Sequence, residues 1–539
     1  MGRALFRFDY RRSPDQDRVT PVHHPVIIVG GGPVGLTAAI DLAMRGVPVV
    51  LLDDAVRFGE GSRGFCYAKR TLVIWDRLGV ARPMLEKGVT WKVGKVFQAG
   101  DLVYQFDLLP EDGHKMPAFI NLQQYYVEKF LVERCAELPR IELRWRNKVT
   151  GIELKTGHAL LAIDTPDGPY RLSADWVLAC DGARSSVRRF LGLGFDGEVF
   201  EERFLITDVR MTAPFPSERW FWFDPPFHDG QSALLHKQPD NVWRIDLQLG
   251  PRADVETERR PENVTPRIER MLGHRNFELD WVSIYRFQCC RMASFVHGHV
   301  IFLGDAAHQV SPFGARGANS GVQDADNLGW KLAAILRGDA PESLLETYDL
   351  ERCQAADENI GHSTRSTDFI APRTPMERRF RNAALALARH TDLGKRYVNS
   401  GRLSTPTTYD TPLSTPDEDA FTGSARLGAP LPDAPCRHRA SAAHWLLDVL
   451  DSGFTVIHVP DGLVSPPAAD VRHLMLGRDL EDPRGLIAER LDARPGSTYV
   501  VRPDQHLAAR FRIYDPAKVA AAIARASGRT SSHTMEART

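Results

Sequence analysis

Short all-apolar runs punctuate the chain, and three of them end in glycine-containing turns. The runs are VIIV after Pro25, WVLAC before Asp181 and VIFL before Gly304. Continuous apolar runs of this length are typical of parallel strands that are buried on both faces of a sheet. A helical pattern that ends at Gly46 follows the first run, and VPVVLLDD follows the helix. Residues 25–54 therefore predict a β-α-β unit.

Helical spacing elsewhere predicts helices over residues 71–78, 124–136 and 323–336. Strand character runs over 96–108 and again over 143–170. Residues 195–293 are rich in aromatic and β-forming side chains, which predicts a separate sheet. Residues 404–419 are dense in Ser, Thr, Pro and acidic residues, as in a linker. The patterns after the linker predict helix, strand, hairpin and helix, which fits a small α/β domain.

Composition narrows the classes of partner. The 539 residues carry a formal net charge of -1, with 43% hydrophobic and 25% charged residues. This balance is ordinary for a globular protein and argues against nucleic-acid or membrane binding by bulk electrostatics. The seven cysteines include no CxxC pair and have no metal-site spacing, so we expect reduced thiols and no metal. Without a signal-peptide core or a membrane-length apolar run, the cytoplasm is the expected location.

The first apolar run leads into a G-x-G-x-x-G motif formed by Gly30, Gly32 and Gly35. In dinucleotide-binding proteins these glycines permit the tight turn, the approach of the pyrophosphate and the close packing of helix on strand. The phosphates lie at the N-terminus of the helix, which here opens at Pro33. Asp53 ends the second strand, where a carboxylate accepts hydrogen bonds from a ribose, and Asp54 is its rival. The motif alone does not separate FAD from NAD.

Two further strand ends carry polar fingerprints. WVLACDGARSSVRRFLG delivers Asp181 and then the start of a helix, and IFLGDAAHQVSPFGARGANSG delivers Gly304 and Asp305. Asp305 is placed to accept hydrogen bonds from a polyol such as ribityl. The loop over 312–321 aims backbone N–H groups at a ring oxygen or an anionic N1. The dipole of the following helix favours a reduced, negatively charged flavin.

Together, the three fingerprints resemble those of the single-component (group A) flavin aromatic hydroxylases, which share the fold of para-hydroxybenzoate hydroxylase. The resemblance covers about residues 25–370 and is strongest to the phenol, pentachlorophenol and 3-(3-hydroxyphenyl)propionate hydroxylases. The segment ending in VVRPDQHLAAR is similar to their thioredoxin-like appendage, which also lacks a redox CxxC. The implied fold is α/β, with a Rossmann-like FAD-binding domain interleaved with a mixed β-sheet substrate domain, plus a C-terminal thioredoxin-like α/β domain.

The resemblance also implies a division of the chain. The expected segments are an N-terminal arm (1–24), the first part of the FAD-binding domain with inserted strands (25–195), the substrate-binding sheet (196–293), the second part of the FAD-binding domain with helices (294–400), a linker (401–425), the thioredoxin-like domain (426–527) and a tail (528–539).

The implied activity is hydroxylation of a phenolic substrate with NADH or NADPH and O2 through a flavin C4a-hydroperoxide. The implied setting is aromatic-compound catabolism, and a homodimer is expected by analogy. Carried over position by position, the FAD contacts are Gly30, Gly32, Pro33, Gly35 and Asp53 or Asp54 for the ADP half, Arg63 near the pyrophosphate, Gln124 beside the flavin, Asp181, Gly304 and Asp305 for the ribityl chain, and Pro312, Gly317, Ala318 and Asn319 around the ring.

The chain departs from the family pattern at two places. Many relatives have Gly-Gln-Gly where this chain has Ala-Arg-Gly at 315–317. Arg316 either adds positive charge near the flavin or points to solvent. Some relatives place a carboxylate between Arg63 and Arg70 to deprotonate a phenol, but residues 64–69 contain no acid. A substrate base at that location is therefore not expected.

The candidates for the substrate pocket come from the predicted sheet. Tyr285 would hydrogen bond to the phenol, His236 would relay its proton and Arg244 would pair with a carboxylate or phenolate. Each also has an ordinary structural explanation: an aromatic filling a sheet face for Tyr285, and solvated strand residues for the other two. His308 follows Gly304 and Asp305 in the family pattern. The alternative to a functional role for His308 is that it only shapes the loop. The aromatic stretch 220–223 is more typical of a core than of a stacking platform.

Three other function classes compete with hydroxylation. Flavin halogenases share the fold and carry W-x-W-x-I-P, to which WFWFDP at 220–225 is a near miss. A flavoprotein reductase or oxidase would bind FAD without hydroxylating. A non-catalytic FAD-binding protein is the third alternative, and three cofactor fingerprints argue against it.

Overall fold

The computed structural model describes residues 7–56, 58, 64–228, 230–398, 403–450, 452–462 and 471–529. The strands, in chain order, are β1 (Val22–Val29), β2 (Val49–Asp53), β3 (Cys66–Ala68), β4 (Val89–Trp91), β5 (Val93–Gln98), β6 (Asp101–Asp107), β7 (Phe119–Asn121), β8 (Ile141–Trp145), β9 (Lys148–Lys155), β10 (His158–Asp164), β11 (Tyr170–Ala179), β12 (Asp196–Arg210), β13 (Arg219–Phe223), β14 (Ser232–Lys237), β15 (Val242–Gln248), β16 (Glu278–Arg291), β17 (Val296–His297), β18 (Val300–Phe302), β19 (His308–Gln309), β20 (Arg437–His438), β21 (Thr455–His458), β22 (Arg472–Met475), β23 (Leu480–Glu481), β24 (Thr498–Val501) and β25 (Leu507–Phe511).

The helices, in chain order, are α1 (Pro33–Met44), α2 (Lys69–Arg77), α3 (Ala81–Lys87), α4 (Gln124–Glu137), α5 (Ser186–Phe190), α6 (Val255–Glu258), α7 (Pro261–Leu272), α8 (Gly317–Leu336), α9 (Leu344–Ile370), α10 (Pro375–His390), α11 (Asp392–Val398), α12 (Leu486–Leu491) and α13 (Pro516–Ala526). Those at 69–77, 124–137 and 317–336 match the three helices that the sequence pattern predicts, and the last begins six residues earlier than predicted.

The first sheet has the strand order β17-β18-β11-β1-β2-β8, with β9 and β10 joined to it through β11. Its centre is parallel, since β1 pairs in parallel with β2 and β11, and β11 does so with β18. The apolar runs predict a sheet that is covered on both faces. The structure agrees with that prediction, since Val26, Ile27 and Ile28 are fully buried. The carboxyl ends of β1, β11 and β18 therefore meet at one edge of the sheet.

The second sheet has the order β19-β16-β12-β15-β14-β13-β5-β6. One face packs against α7, where Leu205, Leu235, Trp243 and Ile245 share a core with helix residues such as Val264. The opposite face is turned to the first sheet's domain and includes Phe204, Phe221, Phe223 and Leu234 beside Phe313. Strand alternation assigns neighbouring residues to these two faces.

Two features refine the predicted segments. The range 25–195 includes β5 and β6, but these strands pair with each other and with β13, so they complete the second sheet. The range 1–24 includes the start of β1 and a packed segment before it. Within that segment, Phe8 stacks on Trp145 with ring centroids 3.7 Å apart, and Asp15 pairs with Arg144 at 2.6 Å. The segment is mostly polar, so its sequence does not indicate this aromatic contact.

The C-terminal region forms a four-stranded sheet with the order β22-β21-β24-β25, to which α12 and α13 pack. Buried charged side chains connect it to two helices beside the first sheet: Arg502 contacts Glu351 of α9 at 2.6 Å, and Arg70 of α2 donates to the Asp504 carbonyl at 2.6 Å. Within the described ranges, no helix is long and apolar enough to span a bilayer, and no His, Cys, Asp and Glu cluster suits a metal ion.

Candidate cofactor and substrate site

The glycine turn between β1 and α1 has the geometry that the motif predicts. Gly30 has φ +111°, and a Cβ there would collide with the carbonyl of Cys180, so only glycine fits. A Cβ at Gly35 would collide with the carbonyl of Gly30. By contrast, nothing lies within 4 Å of the Cβ position of Gly32, the N-cap of α1. The turn is therefore closed towards the sheet and open in front of the helix N-terminus, which leaves room for a pyrophosphate.

Asp53 is tied to this turn. Gly31 N–H donates to its Oδ2 at 2.5 Å and Ala55 N–H donates to its Oδ1 at 2.7 Å. Burial raises the pKa of Asp53, while these two hydrogen bonds oppose the rise. Asp54 is exposed beside it. The backbone bonds fix the carboxylate of Asp53 in place, and each carboxylate oxygen keeps accepting capacity for a ribose.

Asp181 follows β11 directly beside the glycine turn. Its Oδ2 accepts hydrogen bonds from Ser186 N–H at 2.6 Å and Val187 N–H at 3.0 Å, so it holds the start of α5. Its other oxygen, Oδ1, is buried and has no hydrogen-bond partner among the described residues. A buried acceptor without a partner is unusual in a native protein.

The third strand end packs on the same turn. A Cβ at Gly304 would lie 3.0 Å from Val34 of α1, and one at Gly321 of α8 would lie 2.6 Å from the same side chain. These small residues let α1, α8 and the end of β18 approach closely. Asp305 is exposed, and its Oδ1 lies 3.8 Å from the Cβ position of Gly317, the first residue of α8. The three fingerprints therefore converge on one place.

Gln124 and α8 approach each other across Gly64. Gln124 Oε1 accepts from Gly64 N–H at 3.0 Å, and a Cβ at Gly64 would lie 3.7 Å from Ala318. Asn319 is buried, and its Oδ1 accepts from Ala68 N–H at 2.8 Å, which fastens β3 to α8. Its side chain therefore positions the loop, leaving backbone groups to face a ring. Arg63 lies outside the described residues.

The loop before α8 turns sharply at the departure from the family pattern. Ala315 has φ +53° and donates its N–H to the carbonyl of Pro312 at 3.1 Å. Arg316 is buried, and its guanidinium donates to Asn359 of α9 at 2.9 Å. The solvent-pointing alternative for Arg316 is therefore wrong, because the side chain turns inward to bind α9.

His308 is also a buried structural partner. Its Nε2 lies 2.7 Å from Asp324 of α8, whose other oxygen accepts from Arg352 at 2.6 Å. Burial tends to raise the pKa of Asp324, but His308 and Arg352 together hold it below its usual range. Asp324 also accepts from Gly304 N–H at 2.8 Å, so this network shapes the loop beside Asp305.

The donor set fits an FAD. The open space before Gly32 suits a pyrophosphate, Asp53 is placed for a ribose, Asp305 for a polyol, and the N-terminus of α8 for an electron-rich ring edge. When bound, FAD supplies electron transfer and oxygen activation.

The three substrate candidates lie on one face of the second sheet. His236 and Arg244 are opposite each other on β14 and β15, and Tyr285 pairs with Phe204 on β12. Arg244 is buried, chelates Asp208 at 2.8 and 3.1 Å, and lies 4.5 Å from the ring of Phe65. The structure thus brings the three candidates to the side that faces the first domain.

Burial and two neighbouring cations set the state of His236. Desolvation, with Arg219 and Arg244, lowers its pKa well below 6.5. The ring lies edge-on to Phe65 and Trp91, with centroids 5.3 and 5.5 Å away, and its Nδ1 has no hydrogen-bond partner among the described residues. His236 is therefore neutral at physiological pH. It can donate or accept a hydrogen bond, but it does not store a proton.

Sequence reasoning missed other polar residues on this face. Arg219 begins β13, and Asp246 lies two residues after Arg244 on β15. The period of two in VWRIDLQ was the available signal, since it puts Arg244 and Asp246 on one face. Trp220 and Trp222 point to the opposite face and pack in the α7 core, as expected of a core stretch.

Comparison with known proteins identifies the fold and the cofactor. The family model described as an FAD binding domain matches residues 23–363, more than half of the chain. The chain belongs to this FAD-binding family. FAD is therefore its cofactor, as predicted.

Curated relatives with similar sequences are named as monooxygenases or hydroxylases. A flavin-dependent monooxygenase of Mycobacteroides abscessus is 32% identical over 360 residues, covering 63% of this chain and 73% of that protein. A para-nitrophenol 4-monooxygenase of Pseudomonas sp. strain WBC-3 is 30% identical, covering 61% and 82%. Among solved structures, the flavin-dependent monooxygenase PieE in complex with FAD and substrate superimposes with a TM-score of 0.81 at 24% identity, over 95% of this chain and 100% of that chain. The predicted α/β fold and the resemblance to group A hydroxylases are confirmed, and the chain is an FAD-dependent monooxygenase.

Replacing the exposed carboxylate beside α8 should weaken FAD binding. We expect Asp305→Ala to raise the Kd for FAD about 10-fold, because the hydrogen bonds from a polyol to this carboxylate contribute about 1.4 kcal/mol together. Fluorescence titration of apoprotein with FAD measures the change. Asp339→Ala, which removes a carboxylate from a surface pair with Arg337, is the control. Equal affinities in the two variants would mean that Asp305 does not touch the cofactor.

Proposed function

We propose that this FAD-dependent monooxygenase hydroxylates a small phenol-type ring, with NADH or NADPH as electron donor and O2 as oxidant. The observation that carries the proposal is the position of the loop before α8. Its Phe313 lies 4.8 Å from Phe204 and 5.5 Å from Phe287 on the second sheet. The cofactor loop and the charged, aromatic face of that sheet therefore border the same space.

The residues of this face suit an oxygen-bearing aromatic ring. Phe65, Trp91 and Tyr285 offer flat apolar surfaces for stacking and exclude water. Asp208 holds the Arg244 side chain in one orientation. The guanidinium is therefore already positioned before a substrate binds. The neutral ring of His236 can hydrogen bond to a phenol, and Tyr285 can do the same from β16. These contacts would fix which ring carbon faces the flavin.

The names of relatives support a phenolic substrate. They include the para-nitrophenol 4-monooxygenase above and a 3-(3-hydroxy-phenyl)propionate/3-hydroxycinnamic acid hydroxylase of Mycolicibacterium smegmatis, 27% identical over 375 residues. Their substrates differ in size and charge, so the ring substituents of this chain's substrate follow from its own pocket. The preference between NADH and NADPH, the cytoplasmic location and the homodimer stay predictions.

A panel of phenols and phenolic acids tests the proposal. We expect at least one compound to stimulate NAD(P)H oxidation by the FAD-loaded enzyme and to yield one hydroxylated product per O2 consumed. Tyr285→Phe should lower kcat/KM for that compound about 10-fold, since it removes one hydrogen bond to the ring oxygen. Tyr514→Phe, in the C-terminal domain, should match the wild type. Stimulated oxidation without any hydroxylated product across the panel would contradict hydroxylation.

A further inference from the structure

Residues 64–69, which include Phe65, contain no acid. The face of the second sheet that Phe65 contacts through Arg244 does have one. Asp246 lies in the middle of the second sheet, paired with Ile206 on one side and Leu234 on the other. It is only partly buried, yet its Oδ1 is enclosed and has no hydrogen-bond partner in the described part of the chain. It shares a face with Arg244, the face that borders the cofactor loop.

A cation that forms no ion pair with any described residue faces the same space. Arg219 begins β13 opposite Gly94, and alternation places it on the side of Phe221 and Phe223, which belong to the core that includes Phe313. Within the described ranges, no ion pair or hydrogen bond engages its guanidinium. Burial lowers its pKa, whereas Cys66, Tyr104 and Asp246 oppose that change. Phe221, two residues after Arg219, pairs with Leu234, which in turn pairs with Asp246, so Arg219 and Asp246 lie near each other on one face of the sheet. The described residues show no ion pair between them.

Two opposite charges left apart in an enclosed space are costly unless a ligand completes them. A structural salt bridge would close to contact distance, as Arg244 and Asp208 do on the same face at 2.8 Å. Charged groups that are partly withdrawn from water and lack partners are unfavourable, and such groups concentrate at functional sites. A gap between a carboxylate and a guanidinium has room for a group that bridges them. A hydroxyl suits both, because the carboxylate can accept its proton and the guanidinium can pair with the oxygen anion that remains.

We infer that Asp246 is the proton acceptor for the substrate hydroxyl and that Arg219 is the counter-ion of the resulting phenolate. The inference rests on the proposed hydroxylation of a phenol. In this step the O–H bond of the phenol breaks, its proton passes to Asp246 and the electron pair stays on the phenol oxygen. The charge gained by the ring oxygen is matched by Arg219, and no further reactant is required. The ring so formed is the better nucleophile for hydroxylation.

The surroundings of Asp246 suit this exchange at neutral pH. Burial raises its pKa to about 7, with Asp208 adding to the rise and Arg244 and Arg219 opposing it. The other titratable groups facing this space do not compete. His236 has a pKa well below its usual range, and burial raises the pKa of both Cys66 and Tyr104. Asp246 is therefore the group on this face that changes charge near neutrality.

The test uses 3-nitrophenol, whose neutral and ionised forms differ in colour, with the FAD-loaded enzyme at about pH 7.5. This is above the pKa of Asp246, about 7, and below that of the free phenol. Difference spectra give the amount of phenolate bound, and an indicator dye in weak buffer gives the protons released. The variants are Asp246→Asn and Arg219→Met. Glu278→Gln, on an exposed strand end of the same sheet, is the control.

We expect the wild type and the control to bind 3-nitrophenol as phenolate with almost no proton release, because Asp246 keeps the proton. Asp246→Asn should release about one proton for each phenolate bound, and Arg219→Met should bind mainly the neutral phenol. Absence of a phenolate spectrum in the wild type, or a wild-type proton release equal to that of Asp246→Asn, would overturn the inference. Binding is measured without NAD(P)H, so a failure of hydroxylation in the phenol panel is a separate result.

Discussion

A valine at position 35 should leave the purified protein colourless. A Cβ at Gly35 would overlap the carbonyl of Gly30 and lie 3.2 Å from the Cβ of Cys180. Because both neighbours belong to the closely packed end of the first sheet, the glycine turn has to move away from the helix N-terminus, where we expect the pyrophosphate to bind. We expect FAD affinity to fall at least about 100-fold, equivalent to about 3 kcal/mol. Flavin absorbance per protein, before and after adding FAD, measures the loss.

The control for this substitution is Gly361→Ala in α9, where nothing lies within 4 Å of the new Cβ. Alanine is favoured over glycine inside a helix, so the control should bind FAD normally and be at least as stable as the wild type. Circular dichroism of both variants separates loss of the cofactor from loss of the fold. A Gly35→Val protein that keeps its flavin at wild-type affinity would show that the motif does not hold the pyrophosphate.

The cofactor half of the site could be predicted because its signals are local. Gly30, Asp181 and Gly304 each follow an apolar run within a strand-turn-helix segment. Parallel strands end at the same edge of a sheet, so three such segments imply one convergent site before any long-range contact is known. The contact of Val34 with Gly304 and Gly321 follows from this packing.

The substrate half could not be predicted to the same extent because it depends on strand pairing between distant segments. Asp246 faces the site only because β15 pairs with β12 and β14 in this register, and a shift by one residue would turn it to the α7 core. In the sequence, Arg219 looks like an ordinary surface residue next to an aromatic strand. The groups that surround it, Cys66, Tyr104 and Asp246, come from distant parts of the chain, so its surroundings are set by tertiary contacts.

The second large effect is expected at the buried ion pairs between the C-terminal region and helices α8 and α9. Arg502 of the C-terminal region binds Glu351 of α9 through both guanidinium nitrogens, at 2.6 and 3.0 Å, and Lys331 of α8 binds the same carboxylate at 2.8 Å. These side chains are at most 1% exposed. Among the described residues, Glu351→Gln leaves two buried cations with Asp504 as their remaining anionic neighbour. Breaking such a network costs about 3–5 kcal/mol of the free energy of unfolding.

We therefore expect Glu351→Gln to unfold at a lower temperature in calorimetry and to be cut sooner in limited proteolysis. Glu418→Gln removes a comparable but exposed pair with Lys518 and should change stability by less than about 1 kcal/mol. The two variants would behave alike if the network contributed nothing beyond a surface pair.

The difference between wild type and Glu351→Gln should also depend on pH in one direction. Burial opposes ionisation of Glu351, but Arg502 and Lys331 outweigh it and hold its pKa well below the ordinary 4.5. A carboxyl whose pKa is depressed by folding stabilises the protein fully above its unfolded pKa, and that stabilisation is lost as the pH falls towards its folded pKa. The wild type should therefore lose its advantage over Glu351→Gln as the pH is lowered below about 4.5. An advantage that stayed constant through this range would place the stabilising charge elsewhere in the contact.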